Sequence, residues 1–256
     1  MQTTRVSEPS IQQWFMRYVS LSVLLSFLTV SCSNEEKREA FHANGKLHYS
    51  ITYVDTVRQG PAQWWFDNGQ LEIDVQYKNG KEHGTRLWYW PNGQLRERIQ
   101  LVDGKEHGLR EMWYESGQQQ EVTEYADGLS NGKHQAWYSN GVQSQLCGER
   151  NGQLHGPLEF WYDNGQIEIR SNYVDGDPDG EWHKWYRNGQ KEEEAFYQNH
   201  RMHGQWTRWH ENGQMKEQGV LDQGAEIGVW RVWDEDGTMT YEGEWSKNPN
   251  GLAHPK

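Results

Sequence analysis

Four histidines, His83, His107, His155 and His203, stand at multiples of 24 residues from one another. Imidazole is the commonest protein ligand for metals and a usual general base near neutral pH, so a regular histidine series invites a metal or acid–base role. A shared zinc needs its ligands within a few ångströms, because Zn–N bonds are about 2.1 Å. If 24 residues make one β-hairpin, strands ~4.8 Å apart separate equivalent side chains by ~10 Å. The series then reads as turn residues. His200 and His203 are the one local pair, with no second pair or cysteine in the same turn to complete a four-ligand site. Glu192, Glu193 and Glu194 would serve a glycosidase only as carboxylates facing across a cleft, and on a strand they read as a solvated run. The chain has no nucleophile elbow, phosphate-binding loop, HExxH or CxxC motif. No catalytic role, metal or cofactor is expected.

The spacing itself is the stronger signal. Glycines recur every 24 residues from Gly45 through Gly69 and Gly93 to Gly237, and a second series runs from Gly60 through Gly84 to Gly228. A third, from Gly80 to Gly224, is interrupted by His200, and Thr56 holds the place before it. Aromatic residues keep the same step, with Trp65, Tyr89, Trp113, Trp137, Trp161, Trp185, Trp209 and Trp233 in one column. A fixed period of this length marks a repeat architecture.

Composition agrees. A 34% hydrophobic content and a mean hydropathy of −1.08 leave too few aliphatic residues for a thick core, whereas 15 Trp and 13 Tyr supply large apolar area for stacking between repeats. The formal charge is −12, which argues against nucleic acid and against an anionic lipid surface. Loss of residues 1–31 would remove Arg5, Arg17 and Glu8 and take it to −13.

Residues 1–32 read as an export signal, with translation starting at Met16, Arg17 as the charged start, Val19 to Val30 as the short apolar stretch and Ser31-Cys32 as the cleavage point. Cys32 resembles the acylated cysteine of bacterial lipoproteins, although Thr29 stands where that pattern prefers Leu. Ser33 in place of Asp points to the outer membrane, facing the periplasm or the surface. Residues 33–40 are expected to be a charged tether, 41–246 the repeat array and 247–256 a C-terminal tail. If Cys32 carries lipid, Cys147 has no disulfide partner. Its column, shared with Val75, Ile99, Thr123 and Ser171, makes it a small buried hydrophobe.

Twenty-four residues with two glycine turns suffice for two strands of about 5 to 7 residues. In the first full repeat Leu71, Ile73, Val75 and Tyr77 alternate with polar residues, a half-buried strand. A three-residue loop, Asp67-Asn68-Gly69, pairs Trp65 with Leu71 and is expected to place the Trp65 column on the apolar face. The Phe66 to Tyr186 column and Trp182, Trp206 and Trp230 then fall on the opposite face. The fold expected is all-β: an elongated, twisted antiparallel meander of about eight 24-residue hairpins.

The segment "WFDNGQLEIDVQYKNGKEHG" closely resembles the MORN-repeat variant found in tandem in bacterial proteins labelled YwqK-type antitoxins. The resemblance covers about residues 41 to 246. It implies a single-layer sheet of hairpins acting as an interaction scaffold, and the antitoxin label implies neutralising a toxin by binding it. Two classes of function follow. One is a non-enzymatic envelope scaffold that binds another protein, with the membrane reached only through lipid on Cys32. The other is a carbohydrate-binding or envelope-anchoring module whose aromatic stripe stacks on glycan. For both, the candidate contact surface is Trp182, Trp206, Trp230, Tyr138, Tyr162 and Tyr186.

Overall fold

A computed structural model of the protein describes residues 34–244. Among them all regular structure is β-strand: 21 segments in one antiparallel sheet that does not close on itself. Each strand pairs with its neighbours in sequence, as hairpins joined by tight turns must. The signal segment with Met16 and Cys32, and the tail at 247–256, lie outside the described residues. The tether expected at 33–40 is corrected for most of its length. Glu35–Phe41 is a strand paired with Leu47–Val54. Its charge hid it from an alternation test, yet charged side chains suit the exposed edge of a sheet, where they discourage pairing with other chains. Arg38 also lies over the Tyr53 ring at 4.3 Å.

The repeat from Val57 to Gly80 shows how the residues make the unit. Val57–Trp65 and Leu71–Lys78 are its strands. The Gly69 N–H donates to the Phe66 carbonyl and the Phe66 N–H to the Gln70 carbonyl, both at 2.9 Å, and Gly69 has a φ of +91°. This is the expected three-residue loop, and Trp65 pairs with Leu71 beyond it. At the other end Asn79 and Gly80, at φ +52° and +79°, form a two-residue turn whose two central residues are left-handed. Thr56 and His200 take the glycine place of that turn at φ +73° and +65°, a strained conformation for both.

One step past the loop the register slips. Trp65 pairs with Leu71 but Trp64 pairs with Ile73, so Glu72 is an extra residue and the strand carries a β-bulge. The same slip falls between Trp88 and Tyr89, Phe160 and Trp161, Lys184 and Trp185, and Arg208 and Trp209. A one-residue slip exchanges the faces of a strand. It overturns the expected parity: Ala62 and Trp64 share the face of Ile73 and Val75, and the Trp65 column looks the other way. The Trp182 and Tyr186 columns correspondingly belong to the apolar face.

Along that face the packing is complementary in volume from one pair to the next. Ala62 lies opposite Val75, His134 opposite Cys147, Leu158 opposite Ser171, Trp182 opposite Ala195, Trp206 opposite Gly219 and Trp230 opposite Gly243. As one column grows from alanine to tryptophan its partner shrinks to glycine, which keeps the density even without a second layer. Two apolar clusters result. Ile51, Ala62, Val75 and Tyr77 form one; Ala195, Trp206, Leu221 and Trp230 form the other.

Candidate interaction surface

Each hairpin is tied to the next by side chains that bridge backbone one repeat away. On the edge of the three-residue loops, Asn164 Nδ2 donates to the Arg187 carbonyl at 2.9 Å, while its Oδ1 accepts from the Gln166 N–H at 3.1 Å. Asn68, Asn140, Asn188 and Asn212 repeat both bonds. Each of these amides thus closes its own turn and satisfies a carbonyl of the next. The glycine that follows adopts a positive φ, and in most loops a Cβ there would also press on the flexible end of a side chain from the preceding loop. At Gly213 an added Cβ would lie 3.0 Å from Gln190 Oε1, because the glutamine of one loop sits over the glycine of the next.

The tyrosines proposed as contacts form a parallel ladder. The hydroxyls of Tyr138, Tyr162 and Tyr186 donate to the carbonyls of Trp161, Trp185 and Trp209 at 2.8, 2.9 and 2.8 Å. Burial raises the pKa of all three phenols, so they remain neutral donors. The tryptophans are core rather than surface. Trp206 is 7% exposed and Trp230 is 1% exposed, with ring centroids 5.5 Å apart, and Trp182 is half-buried against the same cluster. Trp206 Nε1 also donates to Glu193 Oε1 at 2.7 Å. The stripe read as open to a ligand is therefore corrected: the bulge turns it onto the packed face.

The histidine series is not gathered into a cluster. His83, His155 and His203 each precede a glycine, Gly84, Gly156 and Gly204, with Nδ1 3.2 to 3.6 Å from Asp103 and Asp175 of the neighbouring two-residue turns and from Asp222 just before one. His107 is exposed. His200 Nδ1 is 3.2 Å from Asp177. The glutamate run is paired instead of solvated: Glu192 with Lys184 at 3.1 Å, Glu193 with Arg208 at 3.6 Å, and Glu194 with Lys191 and with His183 at 3.4 Å.

Between the two apolar clusters the packed face turns polar. Glu97, 4% exposed, is held by Arg86 at 3.2 Å and Arg110 at 2.8 Å. One junction further, His134, Cys147 and Glu149 come together, a grouping that the sequence reading left unrecognised. Its signal lay in three exceptions: Glu149 in a tyrosine column, His134 in a column without another histidine and Cys147 in one without another cysteine. Cys147 is buried as expected, and burial pushes its thiol up to about 11, so it is no nucleophile at neutral pH.

The opposite face is open and mostly charged. Arg98 makes a two-pronged contact with Glu111 at 2.6 and 2.8 Å, and Arg170–Glu159 and Arg231–Glu242 pair at 2.8 Å. Exposed apolar residues such as Leu109, Leu129 and Val174 occur along the array, and towards the C-terminal repeats they draw together, with Val220 paired to Ile227. Phe196, Val220, Ile227 and Val229 are 41 to 46% exposed on successive hairpins. Phe196 follows the buried Ala195 and Val220 the core-facing Gly219, which places both on the face away from the tryptophans.

A sheet whose hairpins touch only their neighbours, each fastened by turn amides and phenol hydroxyls, defines a hairpin-repeat protein. The MORN repeat variant matches residues 37–55, 58–79, 82–103, 154–175, 178–199 and 202–221, and the chain belongs to that family, whose repeats serve generally as non-catalytic scaffolds. No curated protein matches the chain. The matched segments leave out residues 104–153, although the hairpins there keep the same pairing and the same bulge.

Proposed function

We propose that the protein is a non-enzymatic scaffold of the cell envelope, exported and tethered through lipid on Cys32, that binds another protein through the open face of its C-terminal repeats. One observation carries this reading: Val220 and its cross-strand partner Ile227, with Phe196 and Val229, gather large exposed apolar side chains on successive hairpins of a face where others, such as Leu109 and Leu129, stand among ion pairs. Apolar residues grouped within a polar surround are what a protein partner covers. A toxin neutralised by occlusion is one such partner, in keeping with the antitoxin-like resemblance of the repeats. Glycan binding has less support, since two of its three tryptophan platforms are buried.

The test is a pull-down from detergent-solubilised envelope with the full chain and with a Phe196→Ser/Val220→Ser/Val229→Ser variant. All three positions are exposed, so the variant is expected to keep the wild-type circular dichroism and thermal midpoint while losing the partner. Equal recovery of the partner by both proteins would reject this face as the binding surface.

A further inference from the structure

We infer that His134, Cys147 and Glu149 form a binding site for one zinc-class divalent metal ion at a single hairpin junction of the array. His134 and Cys147 are direct cross-strand partners, and Glu149 follows Cys147 by two residues on the strand Gln143–Arg150, so all three leave the same face. One ligand atom from each lies within 4.8 Å of the others, and His134 Nδ1 is 3.8 Å from Glu149 Oε1. Bonds of about 2.0 to 2.3 Å to a tetrahedral ion set ligand atoms roughly 3.5 Å apart. About an ångström of side-chain rotation closes the set.

The donor set chooses the ion. A thiolate, an imidazole and a carboxylate suit zinc, whereas magnesium and calcium take oxygen ligands. Cys147 is 1% exposed while the His134 and Glu149 side chains are 19% exposed, so the protein ligands come from within the face and water has access to a fourth position. Gln145 Nε2 lies 3.5 Å from Cys147 Sγ and can donate to the thiolate. As the ion binds, the thiol releases its proton to solvent and His134 ligates as the neutral ring.

The array supplies its own control. In the other repeats the His134 column contains no histidine, the Cys147 column no cysteine, and the Glu149 column only aromatic residues or leucine. Three departures, each towards a metal-ligand type, coincide at one junction, within the 104–153 stretch that the family match leaves out. An ion pair between His134 and Glu149 beside an unrelated cysteine would need only two of them.

The experiment uses the full chain with zinc and cobalt(II) as probes. Wild type is expected to retain one zinc per chain after dialysis against metal-free buffer and, loaded with cobalt(II), to show the near-ultraviolet thiolate-to-cobalt charge-transfer band. Cys147→Ser should abolish the band and weaken zinc binding at least about tenfold. Its fold should persist, because serine occupies the same column at Ser171. His134→Leu, the residue of that column at Leu158, should also weaken zinc binding, and Cys32→Ser should leave both readouts unchanged. A wild type that retains no stoichiometric zinc, or a band that survives Cys147→Ser or vanishes with Cys32→Ser, would overturn the site.

Discussion

Glu217 shows how far this sheet can alter one side chain. It is 7% exposed on the packed face, and burial pushes its carboxyl from the usual 4.5 up to about 7. Arg208 and Lys216 oppose that rise, and Glu226 and Glu193 add to it. A carboxyl with a raised folded-state pKa favours folding fully below pH 4.5, where both states are protonated. That contribution is lost as pH rises through about 7, because the unfolded chain ionises first. Glu217→Gln should therefore match wild type in urea unfolding at pH 4 and exceed it at pH 8 by about 2 kcal/mol, with the gap opening between. A variant less stable than wild type at pH 8 would mean that attraction to Arg208 outweighs burial. Residues were legible where one side chain does a local job. Asn68, Gly69 and Gln70 declared a turn because left-handed φ and amide bonding are local demands. Burial at Glu217 went unread although it holds the column of Ile73, whose face alternation had placed correctly, because a carboxylate carries no sign in the sequence that it is buried.

A second limit belongs to the element. Period, the three-residue loop and the Trp65–Leu71 pair were all readable, because turn chemistry and alternation act within a few residues, whereas the charged first strand was not. The bulge at Glu72 was not, as nothing in that residue type separates an extra strand residue from a paired one. The faces assigned to the first strand of each hairpin were inverted by it, including those of the six proposed contacts, while the alternation of Ile73, Val75 and Tyr77 held. The candidate site was thus legible as a set of columns and illegible as a surface. Volume complementarity gives a test at the same scale. A Cβ added at Gly219 would lie 2.2 Å from the Trp230 ring, whereas one at Gly204 meets nothing within 4 Å and is opposed only by its φ of +84°. Gly204→Ala should cost about 1 kcal/mol, for backbone strain alone. Gly219→Ala should cost about 2 to 3 kcal/mol through overpacking, and much less in a Trp230→Leu background, where the smaller side chain leaves room. Additive losses in that double-mutant cycle, measured by chemical unfolding, would show that Gly219 and Trp230 do not share the space.

At the scale of the array, the 24-residue step is a register as well as a period. The amide and tyrosine ladders both join residues 23 apart, and they can do so in every repeat only because no repeat gains or loses a residue. Removing residues 178–201 would join Asp177 to Met202, which holds the place of Pro178 one period later. Both ladders then re-form across the junction, and the new neighbours meet in equivalent positions. Stability in a nearest-neighbour array should fall by one repeat and one interface, with the sheet otherwise retained. Removing residues 178–200 instead shortens the chain by 23 residues and leaves one residue too many between the ladders. In a β-strand that single step exchanges the packed and open faces of everything downstream, which would expose Trp206 and Trp230 and bury the Arg231–Glu242 pair. The 24-residue deletion should therefore stay soluble with an unchanged strand signature by circular dichroism and protected amides on both sides of the junction. The 23-residue deletion should lose protection from Met202 to Glu244. Equal protection in the two proteins would mean that the chain absorbs the extra residue in a turn, and that the uninterrupted period is not what holds the faces in place.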